Sequence, residues 1–583
     1  MRPAPLLTAP SAVGLLVGSL LGVLALGPAL RPGYLLSYDM VVVPDQPLTA
    51  MTLGTDGSVP RAVPDDLVVV LASHLLPGDV VQKILLLMVF ALGGWGVGRL
   101  LDRRLPAAVA TAAYLWNAYV LERLVIGHWA FLLGYAALPW VLGFARGVRE
   151  GRPGALPRLA LTLAITGLTG STGLVIAGAL ALVVLAWPPG VRRRGRALAV
   201  TALVVLGAAS PWLLPGLTRP GGLPTDPAGA AAFASRADTP LGVVGSVATM
   251  GGIWNSAMWP AERANPVVAT VTLLLVLACL VAGLLPLRRA WGATADAVVV
   301  AGAAAFLLSI AAALPLLDVP MRHLVTDVPG GGLLRDGQKF VAPVALLIAV
   351  CAGLAVEQVA RHARQGAWLL AFAPLVLLPS LAWGVHGRLA PADYPPEWQA
   401  LREAVSARLV PGESVAVLPF TYYRRFTWNH DRVVLDPMPR WLDAPVLVND
   451  DLPLSSGTIR GEDSAAARIR VALQKGAPIG SALVAEHVGF VVDERDQPDP
   501  NGDRGSLADL PIVWQHGSLA LHAVPGAGPD NRDNPPPIGI AVALLTLLAT
   551  FGAVVLSRRG GAASIRRLQP REDTKEGGHG GRA

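Results

Sequence analysis

Two carboxylates stand just beyond the first long apolar run: Asp39, in Ser37-Tyr38-Asp39, and Asp45, after Val41 to Val43 and Pro44. A carboxylate at the edge of a membrane can take a proton from a hydroxyl, or contact a sugar or a metal ion. The plainer reading of either is a solvated loop acid. Further along, Asn117, Tyr119, Glu122, Arg123, Gly127, His128 and Trp129 fall between two apolar runs. Ionisable groups at such a boundary are costly unless paired or hydrated, which marks Glu122, Arg123 and His128 as candidate substrate-binding residues. An interfacial Glu122–Arg123 pair, with Trp129 as a belt aromatic, explains the same residues structurally. His128 needs a carboxylate from another loop before it can hold a metal.

A third group runs from Gly330 to Phe340, where three glycines precede Arg335, Asp336, Gln338 and Lys339. Backbone N–H groups and the cations of Arg335 and Lys339 at a helix start suit a phosphate. A flexible loop with snorkelling basic ends is the alternative. The fourth group holds Ser235-Arg236-Ala237-Asp238 and Gly251 to Asn255, with Arg236 and Trp254 as candidate substrate contacts. Trp254 and Trp259 can stack on a sugar, line an acyl groove, or anchor at the interface. Tyr422, Tyr423, Trp428, Asn429 and His430 suit a carbohydrate or simple core packing. Asp65-Asp66 suits a helix N-cap. The chain has no P-loop, GxSxG, HExxH or CxxC spacing, so nothing supports ATP-driven transport, serine hydrolysis or structural zinc. No cofactor is required by these patterns; a divalent cation stays open.

These groups must be positioned by membrane helices. Of 583 residues, 53% are apolar and 15% charged, and the mean hydropathy is +0.52, values foreign to a soluble enzyme or a disordered chain. Cys279 and Cys351 each lie in an apolar run and read as inert buried thiols. The net charge of +7 is divided into short clusters between apolar runs, such as Arg103-Arg104, Arg192 to Arg196, Arg288-Arg289 and Arg558-Arg559. That distribution argues for topology and against nucleic acid.

Apolar runs near 11–30, 83–101, 107–121, 129–145, 158–169, 172–187, 197–217, 266–286, 294–315, 340–360, 367–386 and 536–557 give about twelve crossings. With that count every basic cluster faces one side, and both termini are cytoplasmic. The expected fold is an α-helical polytopic membrane protein with a small extracytoplasmic α/β domain. The bundle is expected over 1–386, with outer loops 31–82, 218–265 and 316–339. The α/β domain follows over 387–535, then a last transmembrane helix over 536–557 and a disordered cytoplasmic tail over 558–583. Runs 158–169 and 172–187 are expected to be two short helices meeting at Gly170-Ser171-Thr172-Gly173.

The chain resembles the GT-C superfamily of multi-pass glycosyltransferases, and among them the actinobacterial arabinofuranosyltransferase type. The matching residues are Tyr38-Asp39 and the loop after them, Asn117 to Trp129 with Gly134-Tyr135 and Pro139-Trp140, Gly251 to Asn255, and Leu333 to Phe340, within roughly 1–360. The resemblance implies a polyprenyl-phosphate sugar donor, a cell-envelope glycan or lipid acceptor, and a first outer loop that carries the catalytic acid, here Asp39 with Asp45 beside it. It further implies phosphate contacts from Arg335, Lys339 and Arg123. Asp39 and Asp45 are six residues apart rather than adjacent, a departure that keeps an inactive relative among the readings. A transporter or flippase of a lipid-linked or polar solute, and a non-catalytic envelope scaffold, are the readings from other classes.

Overall fold

Glycine decides how the first two membrane helices meet. The computed structural model describes residues 7–188, 194–219, 226–454, 457–476 and 478–567. Within it, helix Ala9–Leu26 crosses helix Gly78–Gly98 backbone to backbone. A Cβ on Gly14 would lie 2.2 Å from the Gly94 carbonyl oxygen, one on Gly18 2.4 Å from that of Phe90, and one on Gly94 2.3 Å from that of Gly14. In lipid, where no hydrophobic force draws helices together, such small-residue stripes let dispersion contacts hold the pair. This pair matters for function because the chain leaving the first helix carries Asp39.

Eight helices among the described residues are long and apolar enough to cross a membrane: Ala9–Leu30, Gly78–Gly98, Trp129–Arg149, Gly195–Thr218, Pro266–Trp291, Ala293–Ala311, Gly337–His362 and Ile538–Arg559. A ninth is obtained if Gly366–Leu377 and Pro379–His386, bent by 64°, form one broken span. The chain is thus a multi-pass membrane protein. The count of twelve is not reached by length, for local reasons. The run at 107–121 breaks at Trp116-Asn117, giving helices Arg104–Leu115 and Ala118–Val125. Asn117 makes the break favourable: its Oδ1 accepts from the Val120 N–H, while its Nδ2 donates to the carbonyls of Ala113 and Tyr114. The runs at 158–187 form the shorter apolar helices Ala155–Thr169 and Ser171–Ala186, which meet at Gly170 as the glycines predict.

Helix Ile538–Arg567 runs past Arg559 into the tail expected to be disordered. Residues 568–583 lie outside the described residues, as do Arg192 and Arg193.

Between the broken span and the last helix the chain forms a five-stranded sheet. Its order is Ile512–His516, Leu519–Ala523, Val488–Glu494, Ser414–Leu418, Val446–Leu447, with the first two pairings antiparallel and the last two parallel. Strand Ser414–Leu418 shows the period of two that a sheet covered on both faces requires. Val415 and Val417 pack with Trp398 and Leu401 of helix Pro396–Ser406, whereas Ala416 and Leu418 pack with Ile469 and Leu483. Arg424 ties a side hairpin to this sheet through ion pairs with Asp436 (2.9 Å) and Glu494.

Two short pairings stitch the loop after the first helix to this domain. Tyr34–Leu35 pairs antiparallel with Pro391–Ala392, and Tyr38 bridges Val434.

Gly94→Leu is expected to force the first two helices apart, lowering membrane abundance and the melting temperature in detergent. Gly552→Leu, on a helix face with nothing within 4 Å, is expected to change neither.

Candidate functional site

The Asp39 carboxylate is aimed by a four-residue turn. Ser37 and Met40 close it with hydrogen bonds in both directions, and Tyr38 takes left-handed backbone, φ 46°. Such a conformation is costly for a tyrosine and persists only where neighbours fix it. Here the Tyr38 N–H donates to Val433 O, the Leu435 N–H donates to Tyr38 O, the Asp39 N–H donates to Ile126 O, and the Ser37 hydroxyl donates to Val125 O. The turn is therefore clamped between the sheet domain and the loop after helix Ala118–Val125. Gly127, φ 89°, lets the two backbones touch: a Cβ there would sit 2.2 Å from the Met40 nitrogen.

The carboxylate receives one donor on each oxygen. Tyr423 Oη donates to Oδ1 at 2.9 Å, and His128 Nε2 lies 3.2 Å from Oδ2. The His128 tautomer follows from its other neighbour. Arg123 Nη1 lies 3.0 Å from Nδ1, and a guanidinium can only donate, so Nδ1 accepts and Nε2 carries the hydrogen toward Asp39. More than a third of the Asp39 side chain, 36%, still reaches solvent. The carboxylate is therefore open to a molecule arriving from solvent.

Behind it lies a buried charge network. Arg123, wholly buried, donates Nη1 to Asp336 Oδ2 at 2.6 Å and Nη2 to Asp336 Oδ1 at 2.9 Å. Its Nε donates to Gln338 Oε1 at 2.9 Å, and its Nη2 shares that acceptor. Gln338 passes its own amide hydrogens to Glu122 Oε2 at 3.0 Å. Glu122 Oε2 also accepts from the Ile253 N–H, while its buried Oε1 has no hydrogen-bond partner among the described residues. Lys339 Nζ stands 3.8 Å from Asp336 and 5.7 Å from the Phe131 ring centre, within electrostatic range of Asp39, Arg123 and Arg335.

Electrostatics follow from these contacts. Burial would raise the Asp39 carboxyl, but the hydrogen bond and charge of His128, then Tyr423 and Lys339, leave it below its usual range. Burial pushes the His128 imidazole down to about 4, with Lys339 adding to the effect and Asp39 opposing it. At neutral pH the pair is thus a carboxylate beside a neutral imidazole. Burial likewise disfavours the Asp336 charge, yet Arg123 overrides it and holds Asp336 at about 2. Burial, then the charge of Asp238, pushes Glu122 well above the ordinary glutamate range.

The structure brings together Asp39, Glu122, Arg123, His128 and Lys339, with Arg335 next to Lys339. It gives Glu122 and Arg123 a different place from the substrate contacts expected of them. Both are fully buried, with every Arg123 nitrogen already committed, so they shape the wall and cannot reach a phosphate. Arg335 is paired with Glu462 at 3.1 Å and lies over Phe233, 5.0 Å from its ring centre. Trp254 is half-buried and packs edge-on against the same Phe233, as a support for Arg335. Asp45 is exposed; its carbonyl accepts from Arg402 of helix Pro396–Ser406, and no contact joins its side chain to Asp39. Arg236 is exposed and is tied to Gly252 through its backbone N–H.

Sequence reasoning missed Tyr423 as a partner of Asp39, because 384 positions separate them; its only signal was an aromatic-polar run. It also passed over Asp336 and Gln338 individually. Among the described residues no group of three or more His, Cys, Asp or Glu side chains is placed to hold a metal ion.

The structure of arabinofuranosyltransferase AftD from mycobacteria superposes on 90% of this chain at 17% identity, with a TM-score of 0.58. A mutant of the same protein superposes on 89% at 16% identity, with a TM-score of 0.56. This chain shares that fold. It spans only 40% and 42% of the length of those two chains. ArnT from Cupriavidus metallidurans, bound to undecaprenyl phosphate, overlaps 89% of this chain and 98% of its own at 15% identity. Its TM-score of 0.34 aligns no particular residue. No protein family and no curated protein sequence matches the chain. The likeness is one of fold.

Two expectations follow from the site. Replacing Arg123 with Gln strands Asp336 in a buried position and should cost about 3–5 kcal/mol, read as a lower melting temperature in detergent. His128 binds its proton near 6.5 when unfolded but only at about 4 when folded, so the unfolded state holds more protons between those values. Stability should fall by roughly 3 kcal/mol as pH drops through that window. His128→Asn, which cannot titrate, should flatten that part of the pH–melting curve; an unchanged slope would assign the acid loss elsewhere.

Proposed function

We propose that the chain is a membrane glycosyltransferase that moves a sugar from a polyprenyl-phosphate donor to a cell-envelope glycan or lipid acceptor on the outer face. The observation that carries this reading is the Asp39 carboxylate. It is ionised, reaches solvent, is fixed by donors on both oxygens, and lies within electrostatic range of Lys339, which Arg335 reaches in turn. The AftD fold supports the same reading.

In this mechanism Asp39 accepts the proton of an acceptor hydroxyl as that oxygen attacks the anomeric carbon. The bond between that carbon and the phosphate oxygen breaks, its electron pair leaves with the lipid phosphate, and configuration inverts. Lys339 and Arg335 balance the charge on the departing phosphate, which is where fixed cations lower the barrier. His128 contributes through geometry. With Nδ1 committed to Arg123, the neutral ring points Nε2–H at Asp39 and keeps the other carboxylate lone pairs free for the hydroxyl. Tyr423 does the same from the sheet domain, so the domain completes the site.

The orientation rests on the basic clusters. Placed in the cytoplasm, they put both termini there and the sheet domain outside, where a lipid-carried donor removes the need for a nucleotide sugar. The domain's free surface is then available to an acceptor glycan.

Asp39→Asn should reduce sugar transfer from a polyprenyl-phosphate donor by at least about 10²-fold, with membrane abundance and melting temperature retained. Transfer at the wild-type rate would remove Asp39 from the chemistry.

A further inference from the structure

Arg335 is not an isolated cation. Arg61 and Arg335, on loops far apart in the chain, converge on a single carboxylate, that of Glu462. Arg335 Nη1 lies 3.1 Å from Glu462 Oε1, and Arg61 Nη2 lies 3.5 Å from Glu462 Oε2. Two guanidinium groups, one on each oxygen of an anion, make the arrangement used to grip a phosphate. The Glu462 side chain is mostly covered, while both arginines keep about a third of theirs open, 34% and 30%. The pair can thus be approached from solvent while its inner face is held by an internal anion.

The backbone under Glu462 is tethered independently of its side chain. Arg219 Nη2 donates to the Glu462 carbonyl at 2.5 Å, and the N–H groups of Glu462 and Asp463 both donate to Asp450 Oδ2. Rotating the side chain away breaks none of these bonds. Arg61 would still hold Asp450 at 3.0 Å, but among the described residues Arg335 would keep only the face of Phe233. Losing Glu462 therefore leaves an uncompensated charge for another anion to answer.

A chain of contacts joins this pair to the proposed reaction centre. Arg61 Nη1 donates to Tyr422 Oη at 3.3 Å, the Tyr422 and Tyr423 rings meet edge to face at 5.3 Å, and Tyr423 donates to Asp39. On the other side, Arg335 and Asp39 both lie within electrostatic range of Lys339.

We propose that Glu462 occupies the phosphate seat of a prenyl-phosphate ligand, and that the ligand binds by displacing this carboxylate and bridging Arg61 and Arg335. The inference rests on the reading of Arg335 as a phosphate contact and adds Arg61 and Glu462 to it. Glu462 then keeps the arginines paired between ligands and discriminates against anions with a single oxygen to offer, because only an anion that presents two oxygens replaces it at both positions. It sits on the sheet domain, so donor binding is coupled to the position of that domain.

The test measures binding of farnesyl monophosphate to the full purified chain in detergent micelles, with farnesol and inorganic phosphate alongside. Glu462→Gln, equal in size and lacking the charge, should bind farnesyl monophosphate about tenfold more tightly than the native chain. Arg61→Gln and Arg335→Gln should each bind it about tenfold more weakly, and farnesol should not distinguish the four proteins. Inorganic phosphate should follow the same order as farnesyl monophosphate, marking the head group as the part recognised. If Arg61→Gln and Arg335→Gln weaken binding but Glu462→Gln does not tighten it, displacement is wrong while the phosphate reading stands. If neither arginine variant changes binding, the phosphate reading itself fails. Should Glu462→Gln not fold, Glu462→Asp keeps the charge but is too short to span both arginines. It should gain several-fold, and a native dissociation constant would overturn the displacement.

Discussion

A guanidinium with no access to water holds this site together. Arg123 lies in a short helix between two membrane spans, and all its polar hydrogens must be answered by protein. Asp336 and Gln338 answer most of them and His128 takes another. Because an unpaired charge at that depth costs several kcal/mol, the 336–338 segment and the 118–128 segment cannot separate. The consequence is chemical as well as structural. A donor that can never accept is fixed against His128 Nδ1, so the imidazole offers Asp39 a hydrogen and cannot become the base itself.

The second constraint is the clamp on the Asp39 turn. One side is the sheet strand Val433–Leu435; the other is Ile126 and Gly127. Neither the membrane bundle nor the sheet domain holds Asp39 alone. A strained tyrosine backbone at position 38 is stable only with both present, and Tyr423 brings a hydroxyl from the domain to the same carboxylate. The domain is therefore part of the proposed reaction centre, and the ion pairs of Arg335 and Arg61 with Glu462 repeat that logic at the neighbouring wall.

Much of this could be read in the chain. Ionisable residues next to apolar runs are expensive unless used, and that single rule selects Asp39, Glu122, Arg123, His128, Arg335 and Lys339, which the fold gathers into one region. It selects position and not role. Glu122 and Arg123 look like ligand contacts because charge at a membrane edge is conspicuous; burial turns them into supports. The same rule selects Asp45 and Arg236, which the fold leaves exposed and away from Asp39, since nothing in local sequence says which way a loop turns. The helix over 107–121 is similarly ambiguous. Its apolar run is continuous enough to read as one span, and only the Asn117 side chain, bonding forward and backward along the chain, shows that it is two.

What the sequence determined by itself was whatever depends on composition and short-range pattern. That covers the long apolar membrane helices, the apolar strand over 414–418, and the short list of costly charges. Tertiary structure alone decided which charges pair: Tyr423 with Asp39, Asp336 with Arg123, and Glu462 with Arg335 and Arg61. The physical reason is that hydrogen bonds and ion pairs act over about 3 Å in space, whereas the partners here are separated by a hundred or more residues of chain. Local pattern can price a buried charge, but only the folded backbone can bring its partner to it.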